Sequence, residues 1–206
     1  MTKKERAKIV MTELEKIYPE VPIPLNHKNA YELLVAVALS AQTTDKKVNE
    51  VTPKLFSVAP NPQKMAALEE PEIKELIKEI GLSTTKAKNL KLMANQLLER
   101  HNGEVPANFE DLENLAGVGH KTASVVMSQA FGFPAFPVDT HIHRLMKQWK
   151  LTEGKNVVQT ENDAKKLFPK ETWNKLHLQI IFYGREYSPA RGNQERDYIT
   201  KILFEG

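Results

Sequence analysis

Leu115-Ala116-Gly117-Val118-Gly119-His120-Lys121-Thr122-Ala123 lies between two apolar stripes of helical spacing. Upstream, Phe109, Leu112 and Leu115 recur every third residue. Downstream, Ala123, Val126, Met127, Ala130 and Phe131 recur at steps of three and four as far as Gly132. The segment reads as helix, two-glycine hairpin, helix. A tight reversal needs positive φ, and a backbone that approaches a ligand closely has no room for a Cβ, so glycine suits both needs. The first N–H groups of the second helix lack intrahelical acceptors and point at one spot, which favours a phosphate.

Two other phosphate readings fail on this stretch. A phosphate-loop ATPase needs glycine directly before Lys-Ser/Thr after a strand, whereas here His120 intervenes and a helix precedes. A dinucleotide fold needs a third small residue inside a βαβ unit. Two-residue alternation is almost absent from the chain, so the expected fold is all-α. Nucleic-acid phosphate is the polyanion that survives.

The same 3.6-residue period extends outward in both directions. Ala30, Leu33, Leu34, Val37, Ala38 and Ala41 mark a buried helix, with Asn29 and Glu32 spaced to cap its start. Ile73, Leu76, Ile77 and Ile80 predict a helix stopped by Gly81. Ala87, Leu90, Ala94, Leu97 and Leu98 predict a longer one stopped near Asn102-Gly103. After Phe131, Gly132-Phe133-Pro134-Ala135-Phe136-Pro137 reads as an extended connector, because proline removes donors and pushes its predecessor out of the helical region. Asp139 or Thr140 then caps a helix with Ile142, Leu145, Met146 and Trp149. Another runs from Thr160 to Phe168, and a third carries Trp173, Leu176, Ile180 and Ile181 and is closed by Gly184. A weak stripe follows at Tyr198, Ile199, Ile202 and Leu203. The proline connector and Pro19-Glu20-Val21-Pro22-Ile23-Pro24 are the two crossings between domains. One domain is expected over 22–133, and the other from 1–21 together with 134–206.

Composition excludes several classes outright. In 206 residues an apolar content of 41% excludes disorder, and the absence of cysteine excludes a disulfide scaffold and any thiolate zinc or iron-sulfur site. A net charge of +3 is compatible with a polyanionic partner. The basic opening Lys3-Lys4-Glu5-Arg6 is followed by no apolar signal region, and the longest apolar run, Leu33 to Leu39, is far short of the roughly 20 residues that cross a bilayer. The expectation is a cytoplasmic protein with no membrane partner.

Five motifs together are distinctive: Leu39-Ser40-Ala41-Gln42-Thr43-Thr44-Asp45, Ile80-Gly81-Leu82, Gly103-Glu104-Val105-Pro106, Leu115 through Ala123, and Val138-Asp139-Thr140-His141-Ile142-His143-Arg144. On these the chain resembles the endonuclease III group of the helix-hairpin-helix DNA glycosylase superfamily. The resemblance implies two helical domains with a DNA-binding cleft between them, and a bifunctional DNA glycosylase and abasic-site lyase of base excision repair with oxidised pyrimidines as the lesion class. The implied partner is double-stranded DNA with a damaged base or abasic site, met by a monomer at the nucleoid. Residue by residue, it makes Lys121 the nucleophile and Asp139 its acidic partner. Chain length permits the two to meet: Lys121 to Phe131 advances about 15 Å as helix, and the extended connector back to Asp139 reaches up to roughly 26 Å.

The resemblance also makes Gln42 and Leu82 the side chains that wedge into the gap left by an everted nucleotide. Gly117, Val118, Gly119, His120 and Thr122 become the phosphate-gripping hairpin, and His141 a cleft residue. The carbonyls of Leu115 and Val118 are where relatives hold a monovalent cation. Lys86, Lys88, Lys91, Arg144, Lys147 and Arg185 are the nearby cations available to phosphates. His141 and His143 are two apart on a helix, face different ways and chelate poorly, so no metal site is expected.

Two other functions compete with this reading. A monofunctional mismatch-directed glycosylase usually lacks lysine at the position of Lys121. A non-catalytic helix-hairpin-helix DNA-binding protein would need neither Lys121 nor Asp139.

Many members of the group carry four cysteines near the C-terminus, spaced Cys-x6-Cys-x2-Cys-x5-Cys, around a four-iron cluster. Here Ser188, Glu195, Tyr198 and Phe204 stand at that spacing. These cannot form a thiolate cage, so Tyr198, Ile202 and Phe204 are expected to supply apolar packing in its place, with no iron-sulfur cofactor. Elemental analysis of the purified protein is expected to find iron and acid-labile sulfide far below one cluster per chain; stoichiometric amounts of both would refute the expectation.

Overall fold

The computed structural model describes residues 1–192 and 195–205, and every regular element among them is helical. In chain order these are α1 (Lys3–Ile17), α2 (Ala30–Leu39), α3 (Asp45–Val58), α4 (Pro62–Ala67), α5 (Glu70–Leu76), α6 (Ser83–His101), α7 (Phe109–Glu113), α8 (His120–Gln129), α9 (Thr140–Gln148), α10 (Val157–Leu167), a 3₁₀ turn (Lys170–Thr172), α11 (Trp173–Glu186) and α12 (Tyr198–Phe204). The fold is all-α. Its two compact units are Ile23–Gly132, and Met1–Pro22 with Phe133–Gly206.

The unit of Ile23–Gly132 is built around α2, whose side chains Leu33, Leu34, Val35, Ala36 and Leu39 are all fully buried. Burying such aliphatic side chains contributes about 1.5–3 kcal/mol each before ordering costs. Asn29 caps this helix by accepting the Glu32 N–H at 2.9 Å. Helices α3, α6 and α8 pack around it. The apolar stripes miss α3, which contains Pro53 and whose buried face is Val48, Val51, Thr52 and Leu55.

The predicted helix through Ile80 ends earlier, at Leu76. The Ile77 N–H is shared between the carbonyls of Ile73 and Lys74, which tightens the chain into a turn. Ile77 and Ile80 are buried all the same, so burial outlasts the helix. The helix before the hairpin likewise stops at Glu113, and Leu115 reaches the core from a turn.

The other unit joins α1 to α9 through α12 around Val10, Leu14, Phe136, Trp149 and Tyr183. The N-terminal helix is fastened by Arg6, which donates from Nε to the Trp149 carbonyl at 3.0 Å and from Nη2 to the Lys150 carbonyl at 2.8 Å. These carbonyls lie at the C-terminal end of α9, where a cation is favoured.

Gly184 does not close its helix, as its position in the apolar pattern suggests. It lies inside α11, and a Cβ there would come within 3.1 Å of the His141 Cβ and Nδ1 and 3.2 Å of a Leu145 methyl. The glycine is there for contact: it lets α11 approach the face of α9 that carries His141. Gly184→Val is therefore expected to destabilise the protein by about 1–3 kcal/mol through overpacking. The denaturant midpoint measures this, and an unchanged midpoint would mean that the contact between α11 and α9 does not require glycine.

Candidate functional site

The hairpin is anchored from below. Leu115 and Val118 are buried in the core of their unit, and the Val118 N–H donates to the Leu115 carbonyl at 3.2 Å. Any contact Val118 makes with a ligand must therefore come from its backbone. The two glycines serve different ends. Gly117 has φ +75°, and a Cβ there would lie 3.2 Å from Asn89 of α6, so both its conformation and its neighbour demand glycine. Gly119 is extended, with open space where a Cβ would project.

Gly119 is the N-cap of α8 and has no side chain with which to cap it, and the first turn holds no acidic residue. The N–H groups of His120, Lys121 and Thr122 thus open the helix beside that open space. His120 is tied back: its Nδ1 lies 2.6 Å from Glu113 Oε1 and its ring stacks on Phe109 at 5.6 Å between centroids. Lys121 is exposed and Thr122 half-buried.

Asp139 does cap α9. One carboxylate oxygen, Oδ1, accepts the Ile142 N–H at 2.8 Å, and the cap leaves Oδ2 for other work. His141, two residues on, is half-buried, and its Nδ1 has no hydrogen-bond partner among the described residues. Burial disfavours its charged form and lowers its pKa, Asp139 opposes that shift, and Arg144 and Arg185 add to it. Lys121 belongs to one unit and Asp139 with His141 to the other.

Gln42 and Leu82 are brought together, and they share a feature that periodicity cannot reveal. Both are exposed residues in the left-handed region, Gln42 at φ 55° and Leu82 at φ 60°, and Leu82 is 58% exposed. Neither residue type favours that conformation, which costs roughly 1–2 kcal/mol without glycine's freedom. The turn before Leu82 runs beside the Gln42 loop: a Cβ at Gly81 would lie 3.8 Å from Thr43 Oγ1 and 4.0 Å from the Gln42 carbonyl.

Three of the candidate phosphate cations are engaged within the protein. Lys86 is buried, with its ammonium on backbone and hydroxyl acceptors; Lys91 donates to the Leu68 carbonyl at 2.8 Å and pairs with Glu69. Arg144 donates to the Ser188 hydroxyl at 3.2 Å and to the Ser188 carbonyl.

The four tail positions do not fit an iron-sulfur cluster. Ser188 is buried under Arg144, Tyr198 meets Tyr187 edge-on at 5.9 Å, and Phe204 is exposed under the Lys150 ammonium. The expected packing holds for Tyr198 alone. Phe204 and Ile202 face outward because Ile199 and Leu203, four residues apart, take the inward side of α12. Among the described residues no cluster of three or more His, Asp or Glu is placed to hold a metal, and no helix is long and apolar enough to cross a membrane.

Helix, two-glycine hairpin and helix define a helix-hairpin-helix protein. Residues 35–170 match the HhH-GPD superfamily of base excision DNA repair proteins. Endonuclease III of Haemophilus influenzae is 45% identical over all of this chain and 97% of its own length. A structure of a trapped endonuclease III–DNA covalent intermediate aligns with TM-score 0.91 at 39% identity, covering 94% of this chain and 92% of its own. A non-covalent endonuclease III–DNA complex aligns with TM-score 0.92 at 36% identity over 100% of both chains. The chain therefore belongs to the HhH-GPD superfamily and, within it, to the endonuclease III group, in a form without cysteine.

The strained turn generates a test that is independent of activity. Asn tolerates the left-handed region, and Leu82 buries little, so Leu82→Asn should leave stability unchanged or raise it by up to about 1 kcal/mol. A loss of more than about 1 kcal/mol in chemical denaturation would mean that Leu82 is a packing residue.

Proposed function

We propose that this chain is a bifunctional DNA glycosylase and abasic-site lyase of base excision repair, acting on double-stranded DNA through Lys121 and Asp139. Oxidised pyrimidines are the lesion class, and the enzyme works as a cytoplasmic monomer at the nucleoid without an iron-sulfur cluster. The observation that carries the reading is a lysine in the first turn of an uncapped hairpin helix, in a chain of the endonuclease III group. The Leu115 and Val118 carbonyls are the oxygens a monovalent cation would use.

The chemistry follows from an amine. Lys121 Nζ, as the free base, attacks the sugar C1′; the C1′–N bond breaks and the base leaves with the electron pair, taking up a proton. The adduct nitrogen gives up one proton, its lone pair then drives open the C1′–O4′ bond as O4′ takes up a proton, and the resulting iminium, which keeps one N–H, acidifies C2′. Removal of a C2′ proton then expels the 3′ phosphate by β-elimination, a step that a hydroxyl nucleophile does not open. The positive end of α8 favours an anionic phosphate nearby. Asp139 supplies negative charge for the cationic sugar or relays the amine proton through the oxygen its cap leaves over.

Borohydride reduction with abasic duplex DNA separates this reading from its rivals. The wild-type chain is expected to be trapped covalently and Lys121→Ala to lose trapping. A monofunctional glycosylase or a non-catalytic DNA-binding module would not be trapped at all. Asparagine caps helices as well as aspartate does, so Asp139→Asn should fold normally and bind DNA while releasing bases at least about 100-fold more slowly, the lower range for lost acid–base catalysis. Full strand cleavage by Lys121→Ala would move the nucleophile elsewhere.

A further inference from the structure

Lys86 is a charged side chain only 8% exposed, in a unit whose central helix ends nearby. Its ammonium donates to the carbonyl of Leu39 at 3.0 Å, to the carbonyl of Ala41 at 2.7 Å and to Thr43 Oγ1 at 3.2 Å. All three acceptors are neutral, and together they use all three protons an ammonium has. No donor is left for a phosphate, and burial lowers the pKa, as it does for an amine withdrawn from water.

The acceptors share a location. Leu39 ends α2, which has no basic residue in its own last turn, and Ala41 and Thr43 flank Gln42 on either side. A helix C-terminus leaves its last carbonyls without partners and carries partial negative charge. Lys86 satisfies that end from a neighbouring helix and, with the same group, fixes both sides of a residue held at positive φ. Its backbone does a second job: the Lys86 N–H donates to the Leu82 carbonyl at 2.9 Å, the first bond of α6. One residue therefore holds the loop that presents Gln42 and the turn that presents Leu82.

We propose that Lys86 is a positioning residue that locks Gln42 and Leu82 into a single preformed wedge for the gap an everted nucleotide leaves. This rests on the reading of Gln42 and Leu82 as wedge residues. A wedge held in place beforehand spends no binding energy on ordering its own loops, and a displacement of about 1 Å at such a site costs up to about a hundredfold in rate.

The experiment compares two substrates. Single-turnover release of an oxidised pyrimidine from a duplex needs eversion; borohydride trapping on a single-stranded abasic oligonucleotide needs the amine chemistry without a helix to open. Lys86→Met is expected to slow duplex release by about ten- to a hundredfold and to affect single-strand trapping far less. Added to the Gln42→Ala/Leu82→Ala pair, it is expected to cause no further loss on duplex, because its effect passes through those two residues. Thr43→Val, which removes one acceptor and leaves the buried amine in place, is expected to show the same selectivity on a smaller scale, and it carries the comparison if Lys86→Met does not fold. Full additivity, equal losses on both substrates, or a duplex rate unchanged in Lys86→Met or in a folded Thr43→Val while the alanine pair is impaired would overturn the role of Lys86. An alanine pair that releases bases at the wild-type rate would overturn the wedge reading itself, and the role of Lys86 with it.

Discussion

A helix buried on every side must still end, and its last carbonyls cannot turn to water. That constraint organises the unit of Ile23–Gly132. Helix α2 gains its stability from a nearly continuous apolar surface and has no cationic side chain in its last turn. The compensating charge comes from α6, and the loop that leaves α2 is shaped by where that charge sits. An unpaired buried ammonium would cost several kcal/mol. Here it is held by carbonyl dipoles at the negative end of a helix, which is among the few neutral settings that suit it. The exposed residues Gln42 and Leu82 keep an unfavourable backbone conformation above that structure.

The glycines show how one residue type meets separate demands. Gly117 is required by its dihedral angle and by Asn89, and Gly184 by the nearness of α9. Gly119 is required by neither, since it is extended and faces open space. Its absent side chain leaves the start of α8 uncapped, as the proposed phosphate contact would need. Asp139 presents the opposite case. It caps α9 with one oxygen and so holds itself in place, and the second carboxylate oxygen is left for the chemistry proposed above.

Much of this was legible from the chain. Apolar stripes of helical period locate most of the long helices, Asn29 marks the start of α2, and of the two caps offered for α9, Asp139 or Thr140, the structure uses Asp139. The misreadings have physical causes. Ile80 and Leu115 continue an apolar stripe past the helix end because a turn can bury a side chain as well as a helix can. Gly184 looks like a terminator in the apolar pattern because sequence does not distinguish a glycine that ends a helix from one that lets another helix approach. Lys86 reads in sequence as one more cation available to phosphates, since its acceptors are backbone carbonyls more than forty residues away in sequence. Positive φ at Gln42 and Leu82 had no compositional signal, because neither is glycine or asparagine.

The cysteine-free tail is explained by what its residues do instead. Asp197 is 3% exposed and accepts from Tyr183 Oη at 2.7 Å, Gln148 Nε2 at 2.6 Å and Thr200 Oγ1 at 2.9 Å. Tyr183 Oη in turn accepts the Ile199 N–H at 3.0 Å. These bonds tie α12 to both α9 and α11, while Tyr183, Tyr187 and Tyr198 fill the space beside them with stacked and edge-on rings. A carboxylate with this many donors is stable in a dry interior. The connection is mechanical: α9 carries Asp139 and His141, and α11 carries the glycine against which His141 rests. A cross-link between those two helices needs neither metal nor thiolate. Hydrogen bonds and aromatic packing make the cross-link here, and Lys121 and Asp139 lie outside the cysteine-free tail.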